Sequence, residues 1–127
     1  MRARRTSSGK WRQELAVKGE RAAEHCLREK GYEIIARNLR SSAGELDLVA
    51  MDGDTLVFVE VKLRSGSADP LEAIDASKRD RLSSVALDFL ARQDMLERAA
   101  RFDVVAVDGD TLVCTHIADA FDCAIPY

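Results

Sequence analysis

The chain predicts an α/β sandwich with a central mixed β-sheet, and three features of its 127 residues lead there. Segments with helical apolar spacing alternate with β-branched, half-alternating segments, an order that lays helices on the faces of one sheet. The run Leu56-Val57-Phe58-Val59 is apolar without interruption, as in an inner strand covered on both faces. The length and a hydrophobic fraction of 46% suit one domain with a real core and exclude two ordinary ones.

Taken in order, the first dozen residues hold Arg2, Arg4, Arg5, Lys10 and Arg12 beside Thr6-Ser7-Ser8-Gly9, without apolar periodicity. This predicts a mobile basic arm over residues 1–12 and a single domain over 13–127. From Gln13 to Lys30, Leu15, Ala16, Ala22, Ala23, Cys26 and Leu27 recur at helical intervals, and Gly31 is a natural stop. "YEIIARNLR" then reads as a strand, broken by "SSAG".

Two runs, Glu45–Met51 and Thr55–Leu63, flank Asp52-Gly53-Asp54, and an Asp-Gly pair between apolar runs is a strong hairpin signal. Gly66, Ser67 and Pro70 interrupt the chain, with a short helical turn expected after them. Ser77 is placed to cap a helix running to about Ala99, with Leu82, Val85, Ala86, Phe89 and Leu90 on one face. Lys78, Arg79 and Arg81 fall in its first turns, where cations oppose the macrodipole. With Arg2, Arg4 and Arg5 they are the candidate phosphate contacts. "DVVAVDGDTLVCTHI" from Asp103 echoes "DLVAMDGDTLVFVEV" from Asp47 and predicts a second hairpin of the same design, with His116 and Ala118 where the first has Glu60 and Lys62.

Other classes are narrowed by what the chain contains. No apolar run approaches the roughly 18–20 residues a bilayer span needs, so a cytoplasmic protein away from the membrane is expected. Cys26, Cys114 and Cys123 lack the close Cys/His pairs of a zinc site and read as thiols. A net charge of −3 means that any nucleic-acid contact must come from a local patch.

The first hairpin carries the chemistry. With Asp52-Gly53 as a two-residue turn, Met51 pairs with Asp54, Asp47 with Phe58 and Glu45 with Glu60, so Glu45, Asp47, Glu60 and Lys62 share a face. Asp47 and Glu60 become diagonal neighbours within reach of a common ion. Desolvated like charges are unfavourable unless a hard cation offsets them, and magnesium suits a site with two carboxylates, waters and phosphate oxygens. Lys62 would then hold or deprotonate the attacking water and stabilise developing charge.

At these residues the chain resembles a known superfamily. Asp47, a hairpin, then Glu60-Val61-Lys62 looks like the D…(D/E)xK signature of the restriction-endonuclease-like proteins. The wider pattern, "KGERAAEHCLREKGYEII" with "GELDLVAMDGDTLVFVEVKLRS", "SKRDRL" and "RFDVVAV", resembles the bacterial YraN, or UPF0102, family from Gly19 to Phe121. That family is similar to archaeal Holliday-junction resolvases.

The resemblance implies a three-layer sandwich and a magnesium- or manganese-dependent DNA endonuclease acting on branched or otherwise structured DNA, with a homodimer as the assembly. It implies Asp47, Glu60, the Val61 carbonyl and Glu20 as metal ligands, with Asp47, Glu60 and Lys62 catalytic. Glu24, one turn after Glu20, is the rival ligand, and Glu45 a secondary candidate. The acidic balance departs from the basic resolvases. A nucleic-acid-binding module with this fold and little activity is the alternative; a scaffold would have to treat the acids and the lysine as a structural ion cluster.

Overall fold

The computed structural model describes residues 3–65, 69, 71 and 74–123, with residues 3–8 as backbone alone. Helix α1 (Ala3–Glu29) is followed by β1 (Glu33–Ser41), β2 (Gly44–Asp52), β3 (Thr55–Arg64), α2 (Ala76–Arg92), β4 (Ala100–Asp108) and β5 (Cys114–Phe121). The strands form one sheet in chain order. Neighbours run antiparallel except β3 and β4, which are parallel, so α2 is the crossover between them.

Alternation along β3 divides the core in two. Leu56 and Phe58 pack with Leu82, Val85, Ala86 and Leu90 of α2, while Val57 and Val59 pack with Ala23 and Leu27 of α1. Both faces of the sheet are therefore covered, and the architecture is a three-layer α/β sandwich around a mixed sheet, as the apolar run of β3 implies. The ring of Phe58 lies 5.9 Å from Phe89 and 5.7 Å from Phe102, tying α2 to β4 through the central strand.

Five local expectations are corrected. Helix α1 begins at Ala3, so residues 3–12, read as an arm, have helical backbone. Their Ala, Arg and Lys residues are good helix formers, and apolar periodicity reports packing rather than helicity. Asp75, not Ser77, caps α2, its side chain accepting from Lys78 N–H at 2.8 Å. That helix stops at Arg92 rather than near Ala99, where Asp94 enters the left-handed region at φ 57°.

The first hairpin turns on Gly53-Asp54, with Gly53 at φ 60°, and its register runs Asp52↔Thr55, Met51↔Leu56, Leu48↔Val59. This is two residues from the expected register, so face parity survives while every pairing changes. The second hairpin has a different design: Val107 pairs with Cys114, and the intervening loop is closed by Asp108, whose Oδ1 accepts from Asp110 and Thr111 N–H at 2.8 and 3.0 Å. Leu112 takes up the left-handed conformation at φ 62°. The short helical turn expected after Pro70 falls largely on residues outside the described ones.

Candidate metal centre

Glu60 follows Leu56 and Phe58 on the face of β3 covered by α2, and Lys62 continues that face. Asp47 lies one residue beyond the last β2–β3 pair, its side chain in hydrogen-bond contact with Glu60. One step beyond the Leu48↔Val59 pair, the register sets Asp47 opposite Glu60 rather than diagonal to it, and Glu45 is no longer the partner of Glu60. There the regular ladder ends, and the Asp47 carboxylate takes over from the backbone by accepting Val61 N–H at 2.7 Å.

Two carboxylates facing one another at a half-buried strand end perturb each other. The Asp47 carboxyl is pushed up to about 8, by burial first and then by the Glu60 charge, with Glu20 adding to it and the Val61 N–H acting in the opposite sense. Glu20 on α1 is itself raised by burial and by the charges of Glu45, Glu24 and Glu60. Asp47, Glu60, Glu20 and Glu45 thus add to one negative field at this end of the sheet.

Helix α1 lies close over β3 at the residue before Glu20. A Cβ on Gly19 would stand 2.9 Å from Leu63 Cδ2, so even one methyl group there would force the leucine or the helix to move. Glu24, the rival ligand, is held elsewhere. Its two oxygens accept from Arg37 Nε and Nη2, each at 2.8 Å, and Arg28 lies 3.5 Å away. Glu45 forms an exposed pair with Arg40 at 3.0 Å.

Lys62 lies among opposing influences: burial and the neighbouring Lys78 lower its pKa, while Glu60 and Asp47 raise it, and the net direction is down. Lys78 reaches across from the first turn of α2, placing its Nζ 2.7 Å from Glu60 Oε2. Its pKa is raised despite burial, because of the hydrogen bond to Glu60 and that group's charge. Lys78 is therefore part of this site and not of a separate phosphate patch.

Of the other basic candidates, Arg79 and Arg81 have different partners. Arg79 donates to the Ile74 carbonyl at 3.2 Å and lies over the Phe121 ring at 5.5 Å, whereas Arg81 donates to Ser77 Oγ at 2.8 Å on the exposed side. The backbones of Arg4 and Arg5 lie in α1, their side chains fall outside the described structure, and Arg2 lies outside the described residues.

The donor chemistry fits a hard divalent cation. Asp47 and Glu60 supply adjacent carboxylate oxygens, and the raised Asp47 pKa marks a place where a proton or another cation is favoured. Among the described residues no group of three or more His, Cys, Asp and Glu side chains has a metal-holding arrangement. A cation would thus be held by Asp47 and Glu60, with the Val61 carbonyl, water and substrate oxygens as the remaining donors and Glu20 reaching it only through water.

The second hairpin carries a different polar cluster that the sequence did not signal. Asp103, buried on β4, accepts from Arg101 Nε at 3.0 Å and Asp119 N–H at 3.0 Å and pairs with His116 Nε2 at 2.8 Å. Arg101 also reaches Asp52 at 2.9 Å and contacts the Tyr32 hydroxyl. No buried side-chain nitrogen or oxygen among the described residues lacks a partner. Asp103 is the counterpart of Asp47 in the repeated segment, yet its bond partners make it a structural pin between β4 and β5.

Among the described residues no helix is long and apolar enough to cross a membrane. The chain matches, over residues 19–107, a family model described as "Uncharacterised protein family UPF0102". It is 46% identical over 108 residues to a UPF0102 protein of Nitratidesulfovibrio vulgaris, covering 82% of this chain and 81% of that one. A UPF0102 protein of Symbiobacterium thermophilum is 47% identical over 108 residues, with 81% and 92% covered. A third, from Geobacter sulfurreducens, is 44% identical over 115 residues, with 87% and 90% covered. The matched span contains α1 from Gly19 onward, the acid hairpin and α2, and the chain belongs to the UPF0102 family.

Proposed function

We propose that this protein is a magnesium- or manganese-dependent endonuclease that hydrolyses phosphodiester bonds in DNA. The observation that carries the reading is the contact of the Asp47 and Glu60 carboxyls at the end of the hairpin beside Lys62, with the Asp47 carboxyl raised by burial and then by the Glu60 charge. Function rather than folding accounts for such a pairing, because desolvated like charges destabilise a sheet end that apolar residues would stabilise.

The divalent ion, when bound, supplies Lewis acidity at a phosphoryl oxygen and lowers the pKa of water. Asp47 and Glu60 would hold it, and Glu20 would orient its waters from α1. Lys62 would position the attacking water and take its proton, a role its lowered pKa favours. Water then adds to phosphorus, and the phosphorus–oxygen bond to one nucleoside breaks, leaving one phosphate end and one hydroxyl end. Branched or otherwise structured DNA is the proposed substrate and a homodimer the proposed assembly, both from the resemblance to resolvases.

The net charge of −3 and the absence of a complete three-side-chain shell among the described residues favour a second reading, a nucleic-acid-binding module of this fold. Cleavage of single-stranded, duplex, flap and four-way-junction DNA with magnesium or manganese separates the two. Strand scission by the wild type that chelator and Glu60→Gln both abolish supports the endonuclease. Binding without scission on every substrate leaves the binding module.

A further inference from the structure

Lys78 is fixed at its backbone and carries its charge at the end of a long side chain. Its N–H is tied to Asp75 Oδ1 at 2.8 Å, and a four-carbon stem carries its ammonium to Glu60 at 2.7 Å and into hydrogen-bond contact with Lys62. A cation in the first turn opposes the α2 macrodipole, so helix stability does not account for it. Among the described residues, Lys78 is the one cation within ion-pair distance of Glu60, and no ion pair to Asp47 is formed. Its ammonium therefore occupies the carboxylate that a divalent ion would need.

We propose that Lys78 is a built-in competitor for Glu60, drawn off by a nucleic-acid phosphate, so that metal and phosphodiester bind cooperatively through this one side chain. The proposal rests on the metal-centre reading above and adds its regulation. Without nucleic acid, the lysine satisfies Glu60 and weakens cation binding. A phosphate beside Lys62 offers the ammonium a second anion and releases Glu60. By linkage, a cation on Glu60 frees Lys78 for the phosphate to the same extent.

The test is calorimetric titration of manganese into the wild type, Lys78→Gln, Lys78→Arg and Glu60→Gln, each with and without a short phosphorothioate DNA duplex. Without DNA, Lys78→Gln should bind manganese more tightly than wild type, on the order of five- to tenfold, the lower end of measured coupling between sites. Lys78→Arg, whose guanidinium can grip a carboxylate with two hydrogen bonds, should bind it several-fold more weakly. DNA should tighten manganese binding to the wild type more than to Lys78→Gln, in which the phosphate oxygens still add donors but no competing ammonium is drawn off.

Equal or weaker manganese binding by Lys78→Gln would overturn the proposal, as would DNA enhancement of the same size in that variant and the wild type. Should Lys78→Gln fail to fold, Lys78→Arg decides: affinity equal to or above wild type overturns it. Wild-type binding that Glu60→Gln abolishes, with both Lys78 variants unchanged, sinks this inference alone. No manganese binding to the wild type sinks the metal centre and this inference together.

Discussion

The carboxylate of Asp47 accepts the backbone N–H of Val61 at 2.7 Å, so the acid that faces Glu60 also stands in for a ladder partner of β3. The two jobs separate by substitution. Asp47→Asn keeps an acceptor and removes the repelling charge, whereas Asp47→Ala leaves the N–H without a partner. In chelator, Asp47→Asn should be at least as stable as wild type, and Asp47→Ala less stable than Asp47→Asn by about 1–3 kcal/mol. Urea unfolding above the Asp47 value of about 8, where the carboxyl is ionised, checks this; equal stability of the two variants would show that the hydrogen bond contributes nothing.

Divalent metal should stabilise the folded protein. With binding to the folded state alone, a concentration about one hundred times the dissociation constant adds roughly 2.7 kcal/mol. Melting curves with chelator and with magnesium or manganese should show this increment in the wild type and its loss in both Asp47→Asn and Glu60→Gln. If metal leaves the wild type unmoved, the acids are a structural cluster with Lys78 and Lys62.

Lys62→Ala should lose cleavage by at least about a hundredfold, the lower end for a group handling a proton in the transition state. Manganese affinity and DNA binding should stay within a few-fold of wild type, because neither needs this amine. A cleavage assay run beside a manganese titration separates the effects, and an active Lys62→Ala enzyme contradicts the assignment.

Acid sensitivity should centre on Asp103. Although burial raises its pKa, the bonds from His116, Asp119 N–H and Arg101 outweigh that and hold it below the usual carboxylate range. A folded pKa below the unfolded one gives stability that is present above the unfolded value, near 3.9, and lost as pH falls through the folded value. Asp103→Asn should flatten that acid limb and lose on the order of 3 kcal/mol near neutral pH, since Arg101 would keep only the half-exposed Asp52 as a charged partner. Unfolding measured from acid to neutral pH tests both; a wild-type acid limb retained in the mutant would assign it to other carboxylates.

The order of elements, the covered central strand and the shared face of Glu60 and Lys62 were legible because each follows from local periodicity. The register was not. Asp52, Gly53 and Asp54 allow two neighbouring turns, and side-chain alternation cannot tell a two-residue shift from none. The repeated Asp-Gly-Asp-Thr-Leu-Val misled for a related reason: Gly53 turns the first copy, whereas the Asp108 side chain closes a longer loop in the second. The Lys78–Glu60 and Arg37–Glu24 pairs join residues on different elements, so no spacing within either element announces them. Residues 3–12 looked like an arm because apolar spacing reports what a helix packs on, and an unpacked helix gives no such signal.

The parallel pairing of β3 with β4 also sets an order of assembly. The β2–β3 hairpin closes through two residues, a contact that forms on about the microsecond scale. Joining Leu56 to Ala100 must wait for the whole crossover to be spanned, and contacts so distant in sequence form late. Lys78 rides on that crossover. A nascent chain therefore brings Asp47 to Glu60 while the hairpin is still wet and high in dielectric, where their repulsion is weak. The cation arrives with α2, at the same moment as the burial that would otherwise make the repulsion costly.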